Sequence, residues 1–178
     1  ALPADGTQGV LEANFSVLEG ACSETTITSA VSGCSAPACN PVINEVDYDQ
    51  PGADDAEFVE LYNPCSEPID LGNYTLIFVN GSNGTTYNSS PVALPSVTLN
   101  PGDYFVVCTS SNTVTPTCDF QPSSVSSIQN GEPDAIALNF GGTQVDALSY
   151  GGSVPGFTEG TGAPDEPNNA AGIGLSRF

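Results

Sequence analysis

The chain contains no histidine, no lysine, no methionine and no tryptophan, and Arg177 is its one basic residue. Without imidazole, neither a Ser-His-Asp triad nor a zinc site with histidine ligands can form. Without lysine, there is no amine for a Schiff base and none for a Lys–Asn cross-link. These absences remove most of the common catalytic groups, so we predict a protein that is not an enzyme.

The charge balance limits the partners. One basic residue stands against 21 acidic residues, which gives a formal net charge of −20 over 178 residues. Nucleic acids are bound through several Lys or Arg side chains that displace counterions, so we expect no nucleic-acid partner. An anionic membrane surface is disfavoured for the same reason, and no apolar run is long enough to cross a bilayer. The length and the 39% apolar content suit a single β-sandwich core.

Six cysteines form an even set without a CxxC spacing, which is typical of a disulfide-bonded, exported protein. Six cysteines allow fifteen pairings, and proximity in sequence favours Cys22–Cys34, Cys39–Cys65 and Cys108–Cys118. A thiolate metal site is the weaker alternative, since zinc sites use closely spaced thiol pairs. We expect an extracellular or cell-surface chain whose leader has been removed.

Glycine and proline supply 34 residues, and no stretch has a clean helical period, so the sequence predicts an all-β chain. Short β-branched and aromatic runs between turn residues predict antiparallel strands. The predicted strands are 42–47, 57–63, 69–79, 85–94, 102–108, 134–140 and 143–150. Gly141-Gly142 predicts a tight hairpin between the last two strands.

One run of residues resembles a known family. Residues 43–46 read INEV, an acidic loop follows, and then come EFVELYNP at 57–64 and IDLGNYTL at 69–76. This pattern resembles the lamin-tail domain, an immunoglobulin-like β-sandwich of nuclear lamins and of many prokaryotic secreted or surface proteins. The resemblance implies such a sandwich over residues 41–178. Gly172–Phe178 resembles a family element that other members extend, so we expect that a neighbouring subunit completes the sandwich.

Residues 1–40 lie outside the resemblance and form a predicted N-terminal extension. Within it, residues 10–18 alternate apolar and mostly polar side chains, which predicts a strand with one buried face. The apolar positions are Leu11, Ala13, Phe15 and Val17. Such a strand either adds to an edge of its own sandwich or pairs with a copy of the same chain.

Acidic residues in the loop after the first predicted strand form a candidate calcium site, because Ca²⁺ prefers oxygen ligands. The candidates are Asp47, Asp49, Asp54, Asp55 and Glu57. The spacing is not that of an EF-hand, so the alternative is a solvated acidic loop. No other cofactor is expected.

Glu45 and Glu60 stand where the lamin-tail pattern has glutamates. Two carboxylates can do acid–base chemistry on a glycoside, but strand glutamates more often accept hydrogen bonds where strands meet. N-glycosylation is a separate expectation, because five Asn-x-Ser/Thr sequons occur. They lie at Asn14, Asn73, Asn80, Asn83 and Asn88.

These observations predict a non-enzymatic, extracellular structural protein that assembles head to tail into a filament or sheath through its N-terminal extension. One alternative is a secreted adhesion or carbohydrate-binding module. The other is an accessory domain of a secreted nuclease, since lamin-tail domains often accompany nuclease domains in secreted proteins.

Overall fold

Short runs of β-branched and aromatic residues form the strands, and Gly, Pro and Asn lie in the turns where the strands end. The computed structural model describes residues 39–113, 117–131, 133–165 and 174–177. The strands in these residues are β1 Val42–Asp47, β2 Phe58–Tyr62, β3 Ile69–Asp70, β4 Tyr74–Asn80, β5 Thr85–Ala93, β6 Thr98–Leu99, β7 Tyr104–Cys108, β8 Asp134–Phe140, β9 Thr143–Tyr150 and β10 Leu175–Ser176. A short 3₁₀ turn, Leu71–Asn73, separates β3 from β4.

Two four-stranded antiparallel sheets make up the sandwich. The first sheet has the order β10-β1-β2-β7, and the second has the order β5-β4-β8-β9. The short strands β3 and β6 pair separately. Asn40–Phe178 is one compact unit. The predicted all-β, immunoglobulin-like sandwich is confirmed.

The core lies between the two sheets. Ile43, Leu61 and Phe105 of the first sheet meet Leu76 and Ile136 of the second, and all five are buried. Burial of each such side chain stabilises the fold by about 1.5–3 kcal/mol. The inward side chains therefore fix the strand register, because a slip of one residue would turn them to the solvent.

Strand β8 is buried on both of its faces. Ile136 and Leu138 point into the core, whereas Ala135 packs on the other face with Val79 and Val154. The segment after β9 thus covers the outer face of the second sheet. This explains why residues 134–138 are buried without the alternation of a half-exposed strand.

The observed strands agree with most of the predicted ones. Gly141 and Gly142 form the predicted hairpin turn, with φ angles of +54° and +85° that favour glycine. The single strand predicted at 69–79 is wrong, because the 3₁₀ turn interrupts it. There the Gly72 amide donates to the Asp70 carboxylate at 3.0 Å, a local bond that competes with strand pairing. The predicted strand at 10–18, with Leu11, Ala13, Phe15 and Val17, lies outside the described residues.

Candidate functional site

The carboxylates of the acidic loop between β1 and β2 lie in different environments. Asp47 and Glu57 are buried at its two ends, and Asp55 is exposed. The Asn130 side-chain amide donates to Asp49 and Asp54, at 3.2 Å each. Within the part of the chain that the structure describes, no group of three acidic, histidine or cysteine side chains is placed to hold a metal ion. The calcium site therefore gains no support from the geometry and stays a prediction.

Glu57 joins the start of β2 to the long loop between β7 and β8. Its Oε1 accepts the Ile128 amide at 3.0 Å, and its main-chain carbonyl accepts the Asn112 side-chain amide at 3.0 Å. Oε2 is buried and has no hydrogen-bond partner among the described residues. Burial raises the pKa of Glu57 to about 8, while hydrogen bonds from Ile128 and Thr109 act in the opposite direction. The carboxyl group is thus mainly protonated at neutral pH.

The pKa of Asp47 is also raised by burial, but less than that of Glu57. Burial raises its pKa to about 6, against a hydrogen bond from Gln50. Both acids are among the predicted ligands of the acidic loop, although they are the end residues of the predicted strands 42–47 and 57–63. The sequence contains one relevant signal, since Glu57 directly precedes Phe58 and Val59, which are buried. An acidic residue directly beside a buried strand can itself be buried with that strand.

Glu45 and Glu60 are cross-strand partners on β1 and β2, beside an irregularity in the register between Ile43 and Glu45. Glu60 accepts the Asn44 side-chain amide at 2.8 Å. Both glutamates are half-buried. Glu60 therefore makes a hydrogen bond at a strand irregularity, although from a side-chain amide rather than from the main chain.

The flank of the sandwich formed by β7 and β5 is closed by residues 117–131; we term it the sealed flank. On β7, the Cys108 amide donates to the Phe120 carbonyl at 2.9 Å. The Cys108–Cys118 disulfide holds the same segment covalently, with 5.7 Å between the Cα atoms. On β5, the Asn88 side-chain amide donates to the Ser127 carbonyl at 2.6 Å. One segment thus covers the edges of both sheets.

The opposite flank, formed by β10 and β9, contains a groove of about 420 Å³; we term it the open flank. Its apolar lining comes from both sheets and from the segment after β9. The apolar lining residues are Ile43, Ala147, Leu148, Ala163 and Leu175. Among the described residues, strand β10 pairs with β1 at Glu45 and Val46, and the Arg177 amide extends this contact to the Asn44 carbonyl at 2.7 Å. The groove therefore adjoins two strand edges.

Arg177 bridges the open flank. Its guanidinium contacts the Asp146 carboxylate at 3.1 Å and the Glu159 carboxylate at 3.3 Å. Asp146 also accepts the Ile43 amide at 2.6 Å, and so joins β9 to β1. Burial raises the pKa of Asp146, while the Ile43 amide and Arg177 act against that rise. The one cation of the chain is thus placed beside a buried carboxylate.

The remaining predicted sites are distributed over the surface. The disulfides Cys39–Cys65 and Cys108–Cys118 are present, as predicted. Cys22, Cys34 and the sequon at Asn14 lie outside the described residues. The other four sequons lie between the end of β3 and the middle of β5. None of the helical structure in the described residues is long and apolar enough to span a membrane.

Comparison with known protein families gives one match. The family model described as Lamin Tail Domain matches residues 35–152, which is more than half of the chain. No curated protein matches the chain. The match begins before β1 and ends after β9, so it includes both four-stranded sheets apart from β10. The chain therefore belongs to the lamin tail domain family.

Proposed function

We propose that the protein is a non-enzymatic, extracellular structural subunit, and that copies of it assemble head to tail by donor-strand complementation. The two disulfides are compatible with an extracellular location. The observation that carries the proposal is the groove of the open flank, which lies between the edges of two sheets. Groups at a strand edge can pair with a strand from another chain.

Residues 10–18 of a neighbouring subunit are the proposed occupant of this groove. They number nine, and the edge strand β9 has eight residues, of which Ala147, Leu148 and Ser149 line the groove. Among the described residues, one main-chain bond reaches β9 from outside its sheet, from the Ala163 amide to the Ser149 carbonyl at 2.7 Å. Within the described residues, the rest of that edge has no main-chain partner outside its own sheet, and the donor strand is proposed to pair there.

The chemistry of the donor segment fits the lining of the groove. Leu11, Phe15 and Val17 would face its apolar residues, whereas Glu12 and Ser16 would face the solvent. The connecting residues 19–38 span at most ~70 Å when extended, which is enough to reach an adjacent subunit. An apolar, main-chain-mediated contact also lets the surface carboxylates of a chain of net charge −20 stay apart.

A head-to-tail contact of this kind repeats without closing unless the rotation happens to form a ring. The proposed assembly is therefore an open filament. The groove and the proposed donor strand come from different segments of the chain, so every subunit would give one strand and receive one.

Substitution of Phe15 tests the proposal. Phe15→Asp should raise the protein concentration needed for filament formation by about 10–100-fold, because a buried Phe contributes about 1.5–3 kcal/mol. Ser16→Asp is the matched control with the same added charge on the outward face, and it should assemble like the wild type. Electron microscopy and sedimentation measure both variants. Equal assembly of the two variants, or a wild-type protein that stays monomeric, would overturn the proposal.

A carbohydrate-binding module is the second candidate, supported by one exposed aromatic pair. The rings of Tyr62 and Tyr104 lie 4.9 Å apart across β2 and β7, and Tyr104 is 54% exposed. Because Leu61 and Phe105 point into the core, the tyrosines face outward. Aromatic rings of this kind can stack on sugars. Selective binding on a glycan array that Tyr104→Ala abolishes would favour this candidate.

A further inference from the structure

Four sequons in the described residues occupy different environments, and the difference bears on modification. A sugar is attached to the side-chain nitrogen Nδ2 of the asparagine. That atom must therefore be accessible and must not be needed by the fold. The hydrogen bonds of Asn73, Asn80, Asn83 and Asn88 distinguish these positions.

Two of these asparagines use Nδ2 to hold the structure. Asn80 donates to the Gln129 side-chain carbonyl at 2.8 Å, and Asn88 donates to the Ser127 carbonyl at 2.6 Å. Asn88 also has a positive φ of 57° and accepts the Ser126 amide at 3.2 Å. A sugar on either nitrogen would displace a contact with the segment that closes the sealed flank.

The sequon at Asn73 begins in the exposed 3₁₀ turn and ends inside the sheet. Its hydroxyl residue, Thr75, belongs to β4 and is paired with Ala93 on one side and with Asn139 on the other. In the folded chain, a transferase could bind this sequon only if the central strand β4 left the sheet. That makes Asn73 a poor acceptor once the protein has folded.

Asn83 differs from all three. It is exposed in the turn between β4 and β5, and its Oδ1 accepts the Thr85 amide at 2.9 Å and the Thr85 hydroxyl at 2.6 Å. Its hydroxyl residue, Thr85, begins the edge strand β5 and is paired with Asn80 on one side, whereas Thr75 lies in the central strand β4 and is paired on both sides. In the same way, the Asn80 Oδ1 accepts the Ser82 amide at 3.1 Å and the Ser82 hydroxyl at 2.5 Å. The two sequons thus share a local geometry, but only Asn80 also uses Nδ2 in a bond to the rest of the fold.

The turn that contains Asn83 is held in place by hydrogen bonds from main-chain amides. The Gly81 amide donates to the buried Asp134 at 2.9 Å, and the Gly84 amide donates to the Asn80 carbonyl at 2.8 Å. Gly84 has a φ of +71°, which favours glycine. Residues 82–86 are all exposed. The acceptor side chain therefore projects from an ordered, accessible turn.

We propose that, of the four sequons in the described residues, Asn83 is the N-glycosylation site of the folded protein, and that Asn73, Asn80 and Asn88 stay unmodified. The donor is an oligosaccharide linked through a diphosphate to a lipid. The Asn83 nitrogen forms a bond to the anomeric carbon, the bond from that carbon to the phosphate oxygen breaks, and a base of the transferase takes the amide proton. The inference rests on the proposed extracellular location and not on the proposed assembly.

Glycopeptide mass spectrometry of the full chain, secreted from a host with N-glycosylation, tests this inference. Glycan should be found at Asn83 and be lost in Asn83→Gln and in Thr85→Val. Thr85→Ser keeps the hydroxyl and should keep the glycan, whereas Asn80→Gln should leave the glycan at Asn83 unchanged. Glycan at Asn80 or Asn88 at an occupancy equal to Asn83, or an unmodified Asn83, would overturn the inference. Filament assembly is measured separately, so failure here does not bear on that proposal.

Discussion

The sealed flank and the open flank close the same sandwich by different means. On the sealed flank, residues 117–131 run beside β7, hydrogen-bond to β5 and carry the Cys108–Cys118 disulfide. On the open flank, the corresponding place has a two-residue strand, the two ion pairs of Arg177 and a groove. Among the described residues, the open flank is the one with a groove between strand edges and an apolar lining, and the proposed donor strand would bind there.

The buried carboxylates of the two flanks also have different neighbours. Asp146 lies beside Arg177, whereas Glu57 has no cation near it and keeps its proton instead. With one basic residue in the chain, an ion pair can compensate a buried acid at one place only. The sealed flank is therefore held by a disulfide and hydrogen bonds, and the open flank also has ion pairs. Three changes test this contrast, in order of their expected effect on stability.

Removal of the disulfide on the sealed flank should have the largest effect. The link joins residues 10 positions apart, and a loop of that size corresponds to ~2–3 kcal/mol of stabilisation. We expect Cys108→Ala/Cys118→Ala to lose about that much free energy of unfolding in denaturant titrations. Filament assembly should persist below the melting temperature, since these residues lie away from the groove. A loss under ~0.5 kcal/mol, or folded protein that no longer assembles, would contradict the contrast between the flanks.

Replacement of Glu57 should change the pH dependence of stability. The folded pKa, about 8, exceeds the ordinary value of 4.5, so the folded state holds this proton more tightly than the unfolded chain. Stability from this group is therefore highest below pH 4.5 and is lost as the pH rises through 8, by roughly 1–3 kcal/mol. Glu57→Gln should remove that loss, which thermal unfolding across this pH range measures.

Glu67→Gln is the matched control for this change, because Glu67 is exposed on the surface. It should follow the wild-type pH curve. If Glu57→Gln also followed the wild-type curve, the buried carboxyl would not be the source of the pH dependence.

Removal of the cation on the open flank should have the smallest of the three effects. Arg177→Gln leaves the Asp146 carboxylate with the Ile43 amide but without its ion pair. Because the Arg177 side chain is 36% exposed, we expect a loss of only ~1–2 kcal/mol in free energy of unfolding. Glu159→Gln, which removes the more exposed partner, should cost less than ~0.5 kcal/mol. Equal losses in the two variants would show that burial of Asp146 does not matter.

Sequence patterns predicted the long strands well and the closure of the flanks poorly. Residues 134–140 and 143–150 were predicted with their observed bounds, because two apolar runs flank a Gly-Gly turn. Strands β6 and β10 have two residues each, which is too short for any periodicity to appear. The burial of Glu57 and the pairing of Arg177 with Asp146 depend on segments 71 and 31 residues away in the chain. Local patterns contain no information about such contacts.

A photo-crosslink from position 15 tests the central claim most directly. A benzophenone amino acid replaces Phe15 in filaments assembled from equal amounts of isotopically light and heavy chains, and mass spectrometry identifies the crosslinked peptides. We predict that half of the crosslinks join light to heavy chains and connect position 15 to the open flank, at β9 or β10. Crosslinks confined within single chains, or directed to β5 on the sealed flank, would contradict donor-strand assembly through the open flank.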